Sequence, residues 1–206
     1  MAKYNKETLI VDEFILPPLK ENTKIFFSHF GRYFYASKLL NIQKNDIVID
    51  ASCGEGYGTF SLSSLSKYVF GLDINKDYIK SAINNYDADN ITFAIYNDFY
   101  KNFCNIEVDK IICIETLEHV PKDEINIFVE NLLGCLKQGG SMFATIPLGN
   151  NEPSTYNEFH LNEMSIDVIY NLFSPYFKSI NIEIDSFVNS FGYECQYCYL
   201  AMKNKK

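Results

Sequence analysis

Positive charge is scarce in this chain: 18 Lys and Arg stand against 26 Asp and Glu, a formal charge of -8 at pH 7. That balance argues against any broad electrostatic hold on nucleic acid or anionic lipid. No segment approaches the roughly 20 continuous apolar residues that a membrane span requires. Internal repeats, low-complexity tracts and linkers are lacking too. A composition of 47% apolar and 21% charged residues excludes intrinsic disorder, collagen and coiled coil. The opening Met1-Ala2-Lys3-Tyr4 leads into an apolar patch that Asp12 and Glu13 interrupt, and no small-residue cleavage site follows. It therefore reads poorly as a signal peptide. Cysteine offers one CxxC, Cys195 and Cys198, with no second pair. On a strand those two side chains point to opposite faces, which suits neither a zinc clip nor a redox pair. Most other cysteines sit in apolar runs such as Ile112-Cys113-Ile114 and read as small buried hydrophobes in a reducing cytoplasm. Only three histidines are present: His29, His119 and His160.

What remains is 206 residues, enough for one α/β domain with a sizeable core and no need of disulfides. Short β-branched runs recur at Asp46–Ala51, Tyr68–Asp73, Ile91–Tyr96, Lys110–Ile114 and Ser141–Ile146, with two more near Ser179–Ile184 and Cys195–Met202. Segments of helical period lie between them. The stretch Lys24–Leu40 is helical and dense in aromatics. Ile125, Phe128, Val129, Leu132 and Leu136 cover one helix face, and that helix is expected to stop at Gly139-Gly140. A further helix fits Ser165–Phe173. Alternating strands and helices mean crossover connections and a mainly parallel sheet covered on both faces. The expectation is one domain over 1–206, with a helical cap at 1–44 and a Rossmann-like core at 45–206. Ligands on such sheets bind beyond the carboxyl ends of the strands.

After the first run comes Asp50-Ala51-Ser52-Cys53-Gly54-Glu55-Gly56-Tyr57-Gly58. Alternate glycines let the backbone turn tightly into a helix and approach a ligand closely. The spacing is GxGxG rather than the GxGxxG of a pyrophosphate loop. Glu55 would repel a diphosphate, so the loop suits a ligand carrying an ammonium and a sulfonium. Asp73, about 20 residues on, can accept hydrogen bonds from ribose hydroxyls. Asn97-Asp98-Phe99 can bind an adenine amino group while Phe99 packs on the ring.

With Gly71-Leu72-Asp73, Asn97-Asp98 and Ile112-Cys113-Ile114-Glu115 following in order, the chain from about Tyr33 to its C-terminus resembles the class I S-adenosylmethionine-dependent methyltransferases. The resemblance implies a seven-stranded sheet whose last strand is antiparallel. It implies that Asp50, Cys53, Gly54 and Gly56 line the methionine part of S-adenosylmethionine. Asp73 and Ile74 would flank the ribose, and Asp98 and Phe99 the adenine. Ser52, Tyr57, Asn97 and Ile114 complete the implied cofactor set. Arg32-Tyr33 resembles the N-terminal cap of small-molecule members, with Tyr33 either a cofactor contact or a packing residue.

Methyl transfer is an in-line displacement at carbon, so the protein must align the nucleophile and, for an alcohol, remove its proton. Ile114-Glu115-Thr116-Leu117-Glu118-His119-Val120-Pro121 stands beyond the fourth run. As one helical turn it would put Glu115, Glu118 and His119 on one face, with Pro121 opening the next helix. Asn157-Glu158-Phe159-His160 lies past the fifth run. Two carboxylates and two imidazoles can hold a divalent ion with positions left for substrate oxygens. The arrangement resembles the E-x-x-E-H plus distal histidine pattern of methyltransferases acting on the terminal ribose of small RNAs. Its first half resembles the ubiquinone-biosynthesis O-methyltransferases. That likeness implies Glu115, Glu118, His119 and His160 as ligands for Mg or Mn. Without a metal, Glu115 and Glu118 cap helices, His119 packs near the cofactor, and His160 is the better base, since an imidazole ordinarily titrates at about 6.5.

Tyr33, Tyr35, Tyr156 and Phe159 are candidate walls for a saccharide or small hydroxylated acceptor. His29 reads as a packed residue of the cap. An RNA end is the second choice within the enzyme class, weakened by the charge of -8 and the lack of a basic stripe. A non-catalytic adenosine-ligand subunit and a nicotinamide-dependent oxidoreductase are the readings from other classes, the latter opposed by GxGxG and Glu55.

Overall fold

The computed structural model describes residues 9–11, 14–16, 23–102, 106–155, 157–188 and 194–206. The chain divides into two compact units, Met1–Ile112 and Cys113–Lys206. In the first, strands β1 (Leu9–Val11) and β2 (Phe14–Leu16) form an antiparallel hairpin ahead of helix α1 (Thr23–Leu39). Three strand–helix repeats follow: β3 (Ile47–Ala51) and α2 (Tyr57–Ser63), β4 (Tyr68–Asp73) and α3 (Lys76–Asn85), β5 (Ile91–Ile95) and α4 (Tyr96–Asn102). β3 pairs in parallel with β4 and β4 with β5, as crossover helices require. Val48, Ile49, Ala51, Val69 and Leu72 are fully buried, so these strands carry apolar side chains on both faces. Helix α3 starts where Asn75 accepts hydrogen bonds from the Asp77 and Tyr78 amides, an N-cap that leaves the strand end open above it.

β6 (Val108–Ile114) crosses the division between the units. The second unit continues through a 3-10 turn at Leu117–His119, helix α5 (Ile125–Gly134), β7 (Leu136–Pro147), α6 (Ile166–Phe173), β8 (Phe177–Val188) and β9 (Glu194–Lys205). β9 is antiparallel to both β7 and β8. The order β5-β4-β3-β6-β7-β9-β8 makes one seven-stranded sheet with its last strand antiparallel, the expected architecture.

Two boundaries differ from the sequence reading. Helix α5 ends at Gly134, and Leu136 already belongs to β7, so the Gly139-Gly140 pair lies inside a strand. Gly139 has φ 79°, which a residue with a Cβ rarely adopts, so the pair serves the strand's backbone and does not stop the helix. Pro121 does not open α5 either. Its carbonyl accepts from the Glu124 amide in a separate turn, and the helix begins at Ile125.

Cys195 and Cys198 both lie on β9, three residues apart, as the opposite-face reading requires. Cys53, Cys113, Cys135 and Cys198 are buried and stand as thiols rather than disulfides. Among the described residues no helix is long and apolar enough to cross a membrane.

Candidate functional site

The glycine loop is built from three left-handed exceptions at alternate positions: Ser52 at φ 62°, Gly54 at 54° and Gly56 at 88°. A left-handed serine is uncommon and marks a backbone held by its surroundings. Here the Cys53 amide donates to the Leu72 carbonyl at 2.8 Å and the Gly54 amide to Asp73 Oδ2 at 2.9 Å. The Asn75 amide donates to Asp73 Oδ1 at 2.8 Å. Asp73 thus ties the loop to the start of α3 and still keeps a lone pair on each oxygen for a ligand. Ile74 beside it is 73% exposed. Gly56 then opens α2, and a Cβ there would lie 2.8 Å from the Phe93 ring.

Asp50 and its neighbours lie under this loop rather than on it. Asp50 is fully buried and accepts from Thr59 Oγ1 at 2.6 Å and from the Tyr33 hydroxyl at 3.1 Å. Burial pushes its carboxyl up to about 7, although those two hydroxyl bonds oppose the rise. Burial, and next the charge of Asp50, holds the Tyr33 phenol well above its ordinary range. The Cys53 thiol is raised in the same way, which keeps it inert. Tyr33 comes from α1, and its ring lies across Gly58, where a Cβ would stand 2.2 Å from it. Its edge meets Tyr57 with ring centroids 5.8 Å apart. Tyr33 thus ties α1 to the loop by packing and by its bond to Asp50, and Thr59 is a partner the sequence reading missed.

Asn97 and Asp98 are exposed in the first turn of α4, which follows β5 with no intervening loop. Phe99 is corrected: it is 0% exposed and packs on Phe70 with centroids 5.3 Å apart, so its ring is not offered to a ligand. The early helix start turns residue 99 back onto the sheet. Ile114 at the end of β6 is buried as well.

In the second unit, Glu115, Glu118 and His119 do not share one helical turn. Glu115 has φ 50°, which breaks the chain direction before the 3-10 turn. Its amide donates to the Thr145 carbonyl, and its Oε1 accepts from Thr145 Oγ1 at 2.9 Å. One ligand atom from each of Glu118, His119 and His160 lies within 4.8 Å of the others, and Glu115 is outside that group. Glu118 is fully buried, and its backbone carbonyl accepts from the Leu161 and Asn162 amides at 2.7 and 3.1 Å. Those bonds fasten the loop carrying His160 to the 3-10 turn carrying His119.

Both imidazoles are oriented. His119 Nδ1 lies 2.8 Å from the Phe159 carbonyl oxygen and His160 Nδ1 2.8 Å from Glu163 Oε1. The rings meet edge to face at 5.0 Å. Phe159 is 68% exposed beside them, and Tyr35 is exposed on α1. Tyr156 and the side chain of His29 lie outside the described residues. Glu163 was not anticipated; its only sequence signal is the spacing His160-x-x-Glu163.

Comparison with known proteins bears on the region around the glycine loop and on the fold. Residues 48–140 match the model of a methyltransferase domain. A Methanococcus vannielii protein named a probable cobalt-precorrin-6B C(15)-methyltransferase is 35% identical over 69 residues, 31% of this chain and 38% of its own. A Pseudomonas putida protein named a probable fatty acid methyltransferase is 22% identical over 116 residues, 53% of this chain and 29% of its own. The match thus spans between a quarter and two-fifths of these relatives' length. A solved S-adenosylmethionine-dependent methyltransferase from Methanosarcina mazei superposes with a TM-score of 0.61 at 16% identity, over 81% of this chain and 96% of that one. Residues 48–140 are thus similar to a methyltransferase domain, and the seven-stranded sheet has the fold of the solved methyltransferase.

Proposed function

We propose that the chain transfers a methyl group from S-adenosylmethionine to a hydroxyl of a saccharide or small hydroxylated metabolite. The observation that carries the hydroxyl acceptor is the imidazole pair, each ring held through Nδ1 by an oxygen. A hydroxyl is a poor nucleophile near neutral pH and needs a positioned base, which an oriented imidazole supplies. The names of the curated relatives speak of a fatty acid and of a precorrin carbon, acceptors that by themselves call for no such pair.

Bound at the loop, S-adenosylmethionine supplies an electrophilic methyl on a sulfonium leaving group. The chain's own residues do the rest. Gly54 and Gly56 let the backbone approach, Asp73 keeps acceptor capacity for ribose hydroxyls, and Ile74 offers an exposed apolar surface beside it. Asn97 and Asp98, exposed at the start of α4, are placed for an adenine amino group. Asp50, Thr59 and Tyr33 brace the loop through their mutual hydrogen bonds. A hydroxyl acceptor would give up its proton as it takes the methyl group and the cofactor departs as a thioether, and His160 Nε2 is the chain's candidate to accept that proton. The exposed Phe159 ring suits stacking on the acceptor.

A second reading is favoured by the Glu118–His119–His160 cluster itself. One carboxylate and two imidazoles, with Nδ1 of each ring already engaged by an oxygen, form a donor set suited to Mn2+ or another first-row transition ion better than to Mg2+. Those three residues would hold the ion, which would lower the pKa of a bound hydroxyl and favour acceptors with adjacent oxygens. Glu115, held by Thr145, is not among them.

The test is transfer of isotopically labelled methyl to a panel of sugars, phenols and other hydroxylated metabolites, with amines and short RNAs as controls. Labelled ether products, reduced about 100-fold or more in His160→Ala, are expected from the loss of general-base catalysis. Label only on nitrogen or carbon would overturn the hydroxyl acceptor. Tight S-adenosylhomocysteine binding with no product at all would support a non-catalytic subunit.

A further inference from the structure

We infer that Glu163 is a positioning residue that fixes the tautomer and ring orientation of His160, so that Nε2 presents a lone pair. The inference rests on the proposed role of His160 as a base and names what prepares it. A carboxylate facing an imidazole at hydrogen-bond distance accepts, so the proton of a neutral His160 ring sits on Nδ1 and leaves Nε2 unprotonated. Free histidine in its neutral form favours the opposite tautomer. The bond therefore sets a choice that the ring would not make alone.

Glu163 is itself held at several points. Its amide donates to the Glu152 carbonyl, and its carbonyl accepts from the Asn151 amide, an isolated antiparallel bridge in a loop otherwise without strands. Its Cβ sits against Gly149, where an added Cβ would lie 2.4 Å away. Both partners of the pair are largely buried, with side chains 11% and 8% exposed, so water competes little for the bond. The Gly149 contact uses only the Glu163 backbone and Cβ, and a substitution that keeps a Cβ leaves it in place. His119 is set in the same sense by different means, its Nδ1–H donating to the Phe159 carbonyl. Two imidazoles thus turn Nδ1 inward to the protein and leave Nε2 for a ligand that donates a proton or accepts a lone pair. A carbonyl or an anion finds no such donor there while both rings are neutral.

Two-bond 1H–15N spectra of the full chain labelled at histidine test this above pH about 8, where imidazoles are neutral. With three histidines in the chain, His160 is assigned from a His160→Ala spectrum. The wild type is expected to show His160 protonated at Nδ1. Glu163→Gln keeps a carbonyl acceptor and should retain that pattern. Glu163→Leu removes the acceptor and should move His160 towards the Nε2–H form, with kcat down about 10- to 100-fold, KM for S-adenosylmethionine unchanged, and Gln restoring part of the loss. A purely structural role would lower stability and leave the tautomer alone. An Nε2–H pattern in the wild type, or one unmoved in the Leu variant, would overturn the inference. If the Leu variant does not fold, the wild-type spectrum decides. An Nδ1–H wild type that methylates no hydroxyl would sink the proposed function and leave the tautomer assignment standing.

Discussion

At the scale of single residues, Asp50 is the side chain whose environment is most at odds with its chemistry. It is fully buried, and two hydroxyls do not restore what water supplied, so its carboxyl rises from 3.8 to about 7. A raised folded-state pKa means that the folded state binds the proton more tightly than the unfolded chain. The associated stability is present in full below pH 3.8, drains away as pH climbs towards 7, and is gone above it. The rise corresponds to about 4 kcal/mol. Asp50→Asn keeps the shape without the charge, so the variant should gain stability over wild type by a few kcal/mol at pH 8 and little at pH 4. Urea unfolding at both values reads the difference, and equal gains at both would refute the assigned cause. None of this was visible in the sequence, where Asp50 read as a ligand contact. The GxGxG spacing told where the turn is, but the depth of Asp50 depends on Tyr33 reaching it from α1, seventeen residues earlier. Phe99 fails for a related reason: a residue's identity says that a ring is present, and the helix start decides which way it faces.

At the scale of elements, the strands were legible because β-branched runs of five to eight residues, set between segments of helical period, admit few other readings. Tyr68–Asp73 is a strand at the same bounds in both. The turn after β6 was not legible as drawn. Glu115-Thr116-Leu117-Glu118-His119 has the spacing of a helical face, but Glu115 sits at φ 50° and only three residues form a 3-10 turn. Side chains on a 3-10 turn repeat every three residues, and Glu115 lies outside the turn altogether. The Glu118 carbonyl, by accepting two amides from the His160 loop, makes two elements act as one support for the cluster. The expected consequence is separable behaviour of the two glutamates. Mn2+ titrated into metal-stripped protein by calorimetry should bind one-to-one, weaken about 10-fold or more in His160→Ala, and be unchanged in Glu115→Gln. Loss of binding in Glu115→Gln would restore the four-ligand arrangement. Absence of binding in the wild type would leave His160 as a metal-free base.

At the scale of the whole molecule, the charge of -8 and the seven-stranded sheet set different limits. The sheet fixes where a cofactor goes but not what is methylated. The charge disfavours polyanionic acceptors, since phosphate contacts need cations to release counterions. Cofactor binding is the property that reports on the molecule at this scale, because a ligand that binds only the folded state stabilises all of it. S-adenosylhomocysteine at about 100 times its Kd adds about 2.7 kcal/mol. For a chain of this size that is a rise in Tm of about 5 to 10 °C. Asp73→Ala removes the carboxylate that holds the Gly54 and Asn75 amides and keeps capacity for the ribose. Affinity should fall by one to two orders of magnitude, on the order of one lost hydrogen bond to a charged group. At the same ligand concentration the rise in Tm then shrinks by half or more, measured against the variant's own unliganded Tm so that any loss of intrinsic stability cancels. Were the variant to keep the full ligand-induced rise, Asp73 would be a brace of the loop alone, and the ribose would have to find its acceptors elsewhere along the rim of β4 and α3.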